Sequence, residues 1–339
     1  MRSEGKMKLH VTIPAGTVRD EFLTNVTMAL LDENFEVSKN ELGRNYTSEE
    51  MLDAVKDAEV VITGWGTPSF IGAPDEKIKS LKLIAHTAGS VAALVDESIY
   101  QRGVRVVSGN ELFAESVAEG TIAYMLSMLR KIPDDINGMR DGVLWKHESG
   151  IVTRGIIGRD IGIVGFGMIT RHLLKMLKPF HPKIKIFSRY PIDEEFLKEY
   201  GATSASIEEV FSSSVVTLHS SLTPSSVGMV GKKLLSLMPK GAVFINTARG
   251  AIVNEKELIE VLAEGSIYAV LDVFEKEPLD MNSPLRKMPN VYVLPHMAGP
   301  THDRRCHIGL AVAEDAVRFA NGEPLRYELS GEYAKRMTR

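Results

Sequence analysis

The sequence predicts an α/β protein of two domains, each built on a parallel sheet that helices cover. Three observations support this prediction. The chain has 339 residues, more than a single domain usually holds. Short apolar runs alternate with helical patterns through its first third, and a second series of the same kind fills the chain from residue 160 onward. Such alternation is typical of parallel strands joined by crossover helices.

The composition is that of an ordinary globular protein. Hydrophobic residues make up 44% of the chain, charged residues 25%, and the net charge is −4. No long basic run is present, so no nucleic-acid partner is expected, and no apolar stretch approaches the ~20 residues of a membrane helix, so no membrane span is expected. The single cysteine, Cys306, cannot form an internal disulfide, and no signal-peptide core precedes the first strand, so we expect a cytoplasmic location.

The first third predicts the strands and helices of one domain. Apolar runs indicate strands at 9–13, 59–63, 83–86 and 104–108, and the patterns between them indicate helices at 19–31, 48–55 and 75–81. A long apolar stretch over 117–132 predicts a buried helix that joins the two domains and ends at Pro133. The polar stretch 140–154, which carries Trp145, is interpreted as an exposed arm or loop.

A βαβ unit over 160–189 opens the second sheet. The apolar run 161–164 predicts a strand, Gly165-Phe-Gly167 a tight turn, and apolar residues at helical spacing over 169–177 a helix that stops before Pro179. A second strand completes the unit. Further strands are predicted at 215–219, 242–246, 267–273 and 291–294, and further helices at 207–211, 232–237, 255–263 and 308–319.

The glycine turn predicts a dinucleotide site. Glycines let the backbone turn sharply and approach a pyrophosphate, whose charge lies on the free N–H groups at the start of the following helix. The third glycine usual in this motif is Thr170 here. Taken alone, the turn fits an ordinary buried strand and helix as well as a dinucleotide site.

The end of the second strand of this unit bears on which dinucleotide is used. An NAD-specific site carries an acid here, which accepts hydrogen bonds from the ribose hydroxyls, whereas this chain has Ser188 and Arg189. Serine can donate to a 2′-phosphate and arginine can pair with it, so NADP(H) is favoured, with NAD(H) as the alternative. In that alternative, Arg189 is a solvated loop residue and Asp193 or Glu194 turns toward the ribose.

Three predicted strands of the second sheet end in groups suited to catalysis. Arg249 follows 242–246 and offers a planar donor fork to a carboxylate, although it also fits a surface turn. Asp272 and Glu277 follow the next strand, with Glu275 interpreted as a solvated acid. His296 ends the last strand and is the side-chain type best suited to proton transfer near neutral pH.

The other histidines allow further interpretations. His86 and His219 also end predicted strands, whereas His172, His181 and His302 lie on helix faces or turns and are expected to be solvated. No spacing of histidine, cysteine or acidic residues indicates a metal site, and no Gly-x-Ser-x-Gly turn indicates a hydrolase.

Together these groups suit hydride transfer to a keto acid, which needs a nicotinamide, a cation for the substrate carboxylate and a proton source. We hypothesise that His296 protonates the carbonyl oxygen while Glu277 hydrogen-bonds to the imidazole. Arg249 would clamp the carboxylate and the carbonyl and so orient the carbonyl carbon toward the hydride.

These motifs resemble the D-isomer-specific 2-hydroxyacid dehydrogenase family over nearly the whole chain. The resemblance is carried by Gly165-Phe-Gly167-Met-Ile, Leu222-Thr-Pro224, Asn246-Thr-Ala-Arg249-Gly250, Asp272-Val-Phe…Glu277-Pro278 and Pro295-His296…Gly299. It implies that Arg249, Glu277 and His296 are catalytic and that Asp272 contacts the nicotinamide carboxamide. It also implies a cofactor surface made by Gly165, Gly167, Met168, Ile169, Ser188, Arg189, His219, Ser220, Thr223, Thr247, Ala248, Asp272 and Gly299.

The resemblance further implies a discontinuous domain organisation. A Rossmann-type, doubly wound cofactor domain, residues 117–306, is inserted into a flavodoxin-like α/β substrate domain made of 1–116 and 307–339. The active site is expected in the cleft between them, and a homodimer is expected through the cofactor domain and the arm at 140–154. Backbone N–H groups of Ala88, Gly89 and Ser90 are expected to bind the substrate carboxylate.

Two positions depart from the family's pattern. Val91 stands where the glycine loop commonly has Asp, and Thr170 replaces the third glycine.

Together, the motifs and the resemblance predict an NADP(H)-preferring 2-keto acid reductase of the glyoxylate or hydroxypyruvate type. The alternatives are a family dehydrogenase with an unusual substrate such as a sugar acid, which the Val91 loop allows, and a dinucleotide-sensing protein like the family's corepressors. The substrate's side chain is expected to meet loops around Trp65, 86–92, Phe113 and Trp145.

Overall fold

The computed structural model describes residues 5–142 and 152–338, and Trp145 with most of the predicted arm lies outside them. The chain divides into two compact units, Met1–Phe113 with Pro300–Arg339, and Ala114–Gly299. These limits fall a few residues before the predicted domain limits at 116 and 306, which stay predictions. Each unit is a parallel sheet with helices, as the alternation of elements predicts.

The first unit contains a five-stranded parallel sheet with strand order β2-β1-β3-β4-β5. Its strands are β1 (Met7–Val11), β2 (Phe35–Lys39), β3 (Val60–Thr63), β4 (Leu83–His86) and β5 (Arg105–Ser108). Its helices before residue 110 are α1 (Thr17–Phe22), α2 (Asn25–Asn34), α3 (Ser48–Val55), α4 (Asp75–Ile78) and α5 (Glu97–Gln101). Strands β3 and β4 are buried on both faces, which is typical of parallel sheets covered by helices on both sides.

The second unit contains a seven-stranded parallel sheet with order β12-β11-β10-β9-β6-β7-β8. Its strands are β6 (Asp160–Val164), β7 (Lys183–Phe187), β8 (Ala202–Ser204), β9 (Val215–Leu218), β10 (Val243–Asn246), β11 (Tyr268–Leu271) and β12 (Val291–Val293). The helices from residue 110 onward are α6 (Asn110–Arg130), α7 (Ile132–Arg140), α8 (Met168–Leu177), α9 (Glu194–Glu199), α10 (Ile207–Phe211), α11 (Lys232–Leu235), α12 (Glu255–Ala263), α13 (His302–Ala320) and α14 (Gly331–Ala334). Of these, α13 and α14 belong to the first unit, and α6 begins there.

The long apolar helix differs from its prediction at both ends. It begins at Asn110 and ends at Arg130, because Lys131 adopts a left-handed conformation with φ of 57°. Pro133 therefore does not end this helix. It lies in the first turn of α7, where a missing N–H costs nothing, so the stretch predicted as continuous to residue 132 is two helices.

Two further segments differ from what the sequence predicts. The helical pattern over 19–31 is broken between α1 and α2, where the Thr24 side chain accepts a hydrogen bond from the N–H of Thr27 and so begins a new helix. Strand β2 carries few buried side chains because it lies at the edge of its sheet, and it therefore lacks the apolar run that marks the inner strands.

Candidate active site

The three predicted catalytic segments follow neighbouring strands. In the sheet register Asn246 lies opposite Leu271, which lies opposite Val293. Because β10, β11 and β12 are parallel, their carboxyl ends lie at one edge of the sheet, and the loops that leave them are adjacent. Arg249, Glu277 and His296 lie on these loops.

His296 and Glu277 form a direct pair. Nδ1 of the imidazole lies 2.7 Å from Oε2 of the carboxylate, and the other carboxylate oxygen accepts a hydrogen bond of 3.1 Å from the N–H of Phe274. The Glu277 side chain is thus fixed from both sides. If Nδ1–H donates to the carboxylate, Nε2 is left for proton transfer, and the His296 side chain is 49% exposed, so this nitrogen can be reached.

Asp272 holds the turn that carries His296. Its main-chain oxygen accepts from the N–H of His296 at 2.9 Å, and its two carboxylate oxygens accept from the N–H groups of Met297 at 2.8 Å and Ala298 at 2.9 Å. These bonds fix His296 at φ of 52°, a left-handed conformation that is costly for a residue with a Cβ. The buried carboxylate of Asp272 therefore organises the turn, and its predicted contact with the carboxamide stays a prediction.

Arg249 is held beside this pair by a close backbone approach. A Cβ on Gly250 would lie 1.8 Å from the carbonyl carbon of Phe274, so only glycine lets the loops after β10 and β11 come together. The Arg249 guanidinium donates to the carbonyl of Ala248 at 2.7 Å. Burial lowers the pKa of Arg249 and the nearby charge of Glu277 raises it, yet an arginine stays a cation throughout.

Helix α6 contacts the loops that follow β10, β11 and β12, and the sequence did not predict these contacts. The Tyr124 hydroxyl donates to Oδ1 of Asp272 at 3.1 Å, and the hydroxyls of Thr121 and Thr247 lie 3.2 Å apart. A Cβ on Gly120 would lie 2.9 Å from the carbonyl oxygen of Ala298. Polar and small residues within an otherwise apolar helix were the signal that could have indicated these contacts.

Two other histidines at strand ends are unsuited to proton transfer. His86 ends β4 and bonds through Nδ1 to the Thr63 hydroxyl at 2.9 Å, and His219, which follows β9, bonds through Nε2 to the Thr217 hydroxyl at 3.0 Å. Burial lowers the pKa of His86 to about 4 and that of His219 to about 3, so both are neutral at physiological pH. Among the strand-end histidines, His296 therefore stays the predicted proton carrier.

The glycine turn has the geometry of an anion site. Gly165 has φ of 106°, and a Cβ there would lie 2.6 Å from the carbonyl oxygen of His219, so the position requires glycine. Gly167 begins α8 with no side-chain cap, and the N–H groups of Met168 and Ile169 in the first turn are therefore open to a phosphate. Thr170 turns inward and donates to the carbonyl of Gly165 at 2.8 Å, so the departure from the glycine pattern tightens the turn.

The loop after β9 carries buried polar atoms that lack a protein partner. Nδ1 of His219 and Oγ of Ser220 are buried without a hydrogen bond to any residue in 5–142 or 152–338. Thr223 begins the next turn, with its N–H donating to Ser226 Oγ at 2.8 Å. Orphaned polar atoms beside an uncapped helix start fit a bound dinucleotide, whose polar groups would supply the missing partners.

At the end of β7, Arg189 contacts the loop after β9. Its guanidinium donates to the Ser225 hydroxyl and, at 2.5 Å, to the Ser225 carbonyl. Ser188 Oγ accepts from the N–H of Tyr190 at 3.1 Å. Oδ1 of Asp193 accepts from the N–H groups of Glu195 and Phe196 and so caps α9, and the choice between NADP(H) and NAD(H) stays a prediction.

The loop after β4 presents donors suited to a carboxylate. The Ser108 hydroxyl is placed to donate to the carbonyl oxygens of Ala88 at 2.9 Å and Gly89 at 2.6 Å. The N–H groups of Gly89 and Ser90 have no protein acceptor within the residues that the structure describes. A loop whose carbonyls are bonded to Ser108 and whose N–H groups have no described acceptor fits the predicted substrate loop.

Val91 does not face the substrate side of this loop. It is fully buried in an apolar cluster with Phe70, Leu94 and Val95. Near the loop, Phe113 lies 3.7 Å from the position a Gly89 Cβ would occupy and packs edge-on against Trp65, which is 43% exposed. The replacement of Asp by Val therefore anchors the loop in the core rather than changing its polar surface.

The part of the chain that the structure describes holds no cluster of three or more histidine, cysteine or acidic side chains that could hold a metal ion. It also contains no helix long and apolar enough to cross a membrane.

Comparisons with known proteins identify the family of this chain. The sequence profile of the D-isomer specific 2-hydroxyacid dehydrogenase, NAD binding domain, matches residues 122–298, which are more than half of the chain. A glyoxylate reductase from Thermococcus litoralis is 36% identical over 257 residues, covering 73% of this chain and 76% of the relative.

Two further relatives extend the match over most of the chain. A D-3-phosphoglycerate dehydrogenase from Methanocaldococcus jannaschii is 33% identical over 85% of this chain, but this chain spans only 55% of that relative. A crystal structure of a phosphoglycerate oxidoreductase from Rhizobium etli superposes with a TM-score of 0.77 at 26% identity, covering 95% of this chain and 98% of that one. The chain therefore belongs to the D-isomer-specific 2-hydroxyacid dehydrogenase family.

Proposed function

We propose that this protein catalyses the nicotinamide-dependent reduction of a small 2-keto acid to the D-2-hydroxy acid. The observation that carries the proposal is the 2.7 Å contact between His296 and Glu277, which lie on the loops after two adjacent strands, beside the loop that carries Arg249. A proton donor, a carboxylate that orients it and a fixed cation are the three protein groups that carbonyl reduction requires.

Each residue has one role. The dinucleotide, when bound, supplies the hydride to the carbonyl carbon. His296 gives the proton on Nε2 to the carbonyl oxygen as the C=O double bond becomes a single bond, and Glu277 holds the ring through Nδ1. Arg249 binds the substrate oxygens and stabilises the negative charge that develops on the carbonyl oxygen. The N–H groups of Gly89 and Ser90 bind the substrate carboxylate.

We favour NADP(H) as the dinucleotide. Arg189 is the cation at the end of β7, its described partners are the neutral groups of Ser225 and Met229, and Asp193 is occupied in capping α9. The Arg189 charge therefore has no described carboxylate partner and is available to a 2′-phosphate. The predicted cofactor residues Thr247, Ala248 and Gly299 lie on the same loops as Arg249 and His296, and their contacts with the dinucleotide remain part of the proposal.

The substrate is proposed to be of the glyoxylate or hydroxypyruvate type. The support is the relative named glyoxylate reductase, which is 36% identical to this chain over 257 residues. The sugar-acid alternative depended on a substrate loop altered by Val91. Since Val91 is buried in the core, no observation favours that alternative.

The proposal is tested by mixing the purified protein with NADPH and glyoxylate, hydroxypyruvate or longer 2-keto acids and following absorbance at 340 nm. Absorbance loss with at least one substrate is expected, and His296→Gln should lower kcat by ~10²–10⁴-fold while leaving dinucleotide binding intact. Unchanged turnover in His296→Gln would overturn the proton role. Dinucleotide binding without turnover of any keto acid would instead support the sensing alternative.

We also propose that the protein forms a homodimer through the second unit. Helix α7 exposes Ile132, Ile136 and Met139, which recur at helical spacing on one face, and each is more than 40% exposed. The predicted arm that continues from α7 lies mostly outside the described residues. Light scattering should give twice the monomer mass, and Ile136→Glu should shift the mass toward the monomer, whereas a monomeric wild type would refute the proposal.

A further inference from the structure

We infer that the C-terminal strap, residues 329–338, is a positioning element for the substrate loop at 88–90. This inference rests on the proposed function, because it assigns the strap a part in binding the substrate carboxylate. The observation behind it is a hydrogen bond of 2.5 Å from the Ser90 hydroxyl to the main-chain oxygen of Thr338, two residues that are 248 positions apart in the sequence.

The strap contacts the rest of the first unit near both of its ends. Near its start, the N–H of Leu329 donates to the carbonyl of Val106 at 2.8 Å, and the preceding residue, Glu328, bridges antiparallel to Val107 of β5. Near its end, Ala334 is buried in the apolar cluster that contains Val91, and Met337 packs against the same cluster. Strap and loop therefore share one apolar core.

Polar contacts fasten the middle of the strap. Lys335 forms a 3.0 Å ion pair with Glu97 of α5, and the Tyr333 hydroxyl lies 3.4 Å from Nδ2 of Asn110. A pocket of about 250 Å³ lies between α5 and α14. The Ser90–Thr338 hydrogen bond is a direct polar contact between the strap and the loop.

The strap and Ser108 hold the loop on different groups. Ser108 holds the carbonyl oxygens of Ala88 and Gly89, while Thr338 holds the side chain of Ser90, whose Oγ also accepts from the N–H of Ala92 at 3.3 Å. Because the carbonyl oxygens of Ala88 and Gly89 point toward Ser108, the N–H groups of Gly89 and Ser90 point away from it. An anion site made of backbone N–H groups works only while these groups converge, so the strap bears on affinity for the substrate carboxylate.

The test is a double-mutant cycle. One variant is Ser90→Ala, the second replaces the Thr338 codon by a stop codon, and the third combines them. We expect each single variant to raise KM for the keto acid three- to tenfold with kcat within twofold of the wild type. The double variant should match the singles, because both remove the same hydrogen bond. KM for NADPH should not change, and Glu332→Gln, an exposed substitution in the strap, is the matched control.

Hydrogen exchange provides a readout that does not depend on turnover. Exchange of the peptide that contains residues 88–95 should be faster in Ser90→Ala and in the shortened chain than in the wild type. Unchanged exchange, an unchanged KM for the keto acid, or multiplicative effects in the double variant would each overturn the inference. If the wild type reduces no keto acid, the proposed function fails, and the exchange measurement still decides whether the strap holds the loop.

Discussion

The hydroxyl of Tyr124 in α6 donates a hydrogen bond of 3.1 Å to the carboxylate of Asp272, which in turn binds the N–H groups of the turn that carries His296. Burial raises the pKa of Tyr124, and the charge of Asp272 raises it further, so the phenol remains a donor. A helix without a proposed catalytic residue thus fixes the position of His296, the proposed proton carrier, through the Asp272 carboxylate.

This relationship predicts the effect of Tyr124→Phe. The substitution removes one of the hydrogen bonds to a buried carboxylate, so we expect the free energy of unfolding to fall by roughly 1–3 kcal/mol and kcat to fall severalfold. Urea unfolding and steady-state kinetics measure the two effects. Tyr46→Phe is the control, because its hydroxyl lies 3.3 Å from Nε2 of His10 in the other unit. It should leave kcat unchanged, and an equal loss of kcat in both variants would contradict the prediction.

Two glycines of the second unit should respond to alanine in opposite ways. At Gly250 a Cβ would collide with the Phe274 backbone, so Gly250→Ala should destabilise the fold by ~1–3 kcal/mol or more and separate Arg249 from Glu277. At Gly167 a Cβ meets no protein atom within 4 Å, so Gly167→Ala should fold normally and lose dinucleotide affinity because the Cβ occupies the space of the pyrophosphate.

Thermal unfolding and dinucleotide fluorescence separate these two outcomes. Gly138→Ala, at a half-buried helical glycine with open space around its Cβ position, is the control and should change neither binding nor activity. If Gly167→Ala bound NADPH as tightly as the wild type, the glycine turn would not be the pyrophosphate site.

The sequence indicated most of this architecture because the inner strands of parallel sheets are continuous apolar runs. Strand β4 and helices α3, α10 and α12 have the predicted bounds, and the βαβ unit around Gly165 is confirmed. The strands that were missed, β2 and β8, lie at sheet edges, where half-exposed side chains give no apolar run.

The site was less predictable because its supports are contacts between distant segments. Arg249, Glu277 and His296 could be chosen from their places at strand ends, since parallel strands bring those ends together. The Ser90–Thr338 and Tyr124–Asp272 contacts join residues more than 140 positions apart, and no local pattern encodes them. Likewise, the sequence left open whether Val91 faces the substrate or the core, because a single apolar residue in a loop fits both.

Cofactor preference is predicted to depend on Arg189. Its guanidinium has no described carboxylate partner and is available to a 2′-phosphate. Arg189→Ala should therefore raise KM for NADPH by ~10–100-fold, which corresponds to the loss of a charge-assisted hydrogen bond of about 1.5–3 kcal/mol. KM for NADH should change little. Asp193→Asn is the matched variant, since asparagine can also cap α9. It should not alter the preference, and a selective loss of NADH affinity in this variant would favour the NAD(H) alternative.

Three buried histidines predict how stability depends on pH. Burial lowers the pKa of His10 and of His86 to about 4 and that of His219 to about 3, against about 6.5 in an unfolded chain. At pH values between the folded and the unfolded pKa, each ring is protonated in the unfolded chain and neutral in the folded chain. The stability that the neutral rings contribute is therefore present above about pH 6.5 and is lost as the pH falls toward 4. Each histidine changes the free energy of unfolding by up to about 1.4 kcal/mol per pH unit in this window.

Urea unfolding at intervals between pH 7.5 and 5 measures this slope, and near pH 5.5 we expect unfolding to take up about two to three protons through these groups. His86→Asn should reduce the uptake by about one proton. His181→Asn is the control at an exposed histidine, in a left-handed turn that asparagine also accommodates. A free energy of unfolding that stays constant from pH 6.5 to 5 would show that the strand-end rings accept protons in the folded protein. His86 and His219 could then no longer be set aside in favour of His296 as the proton carrier.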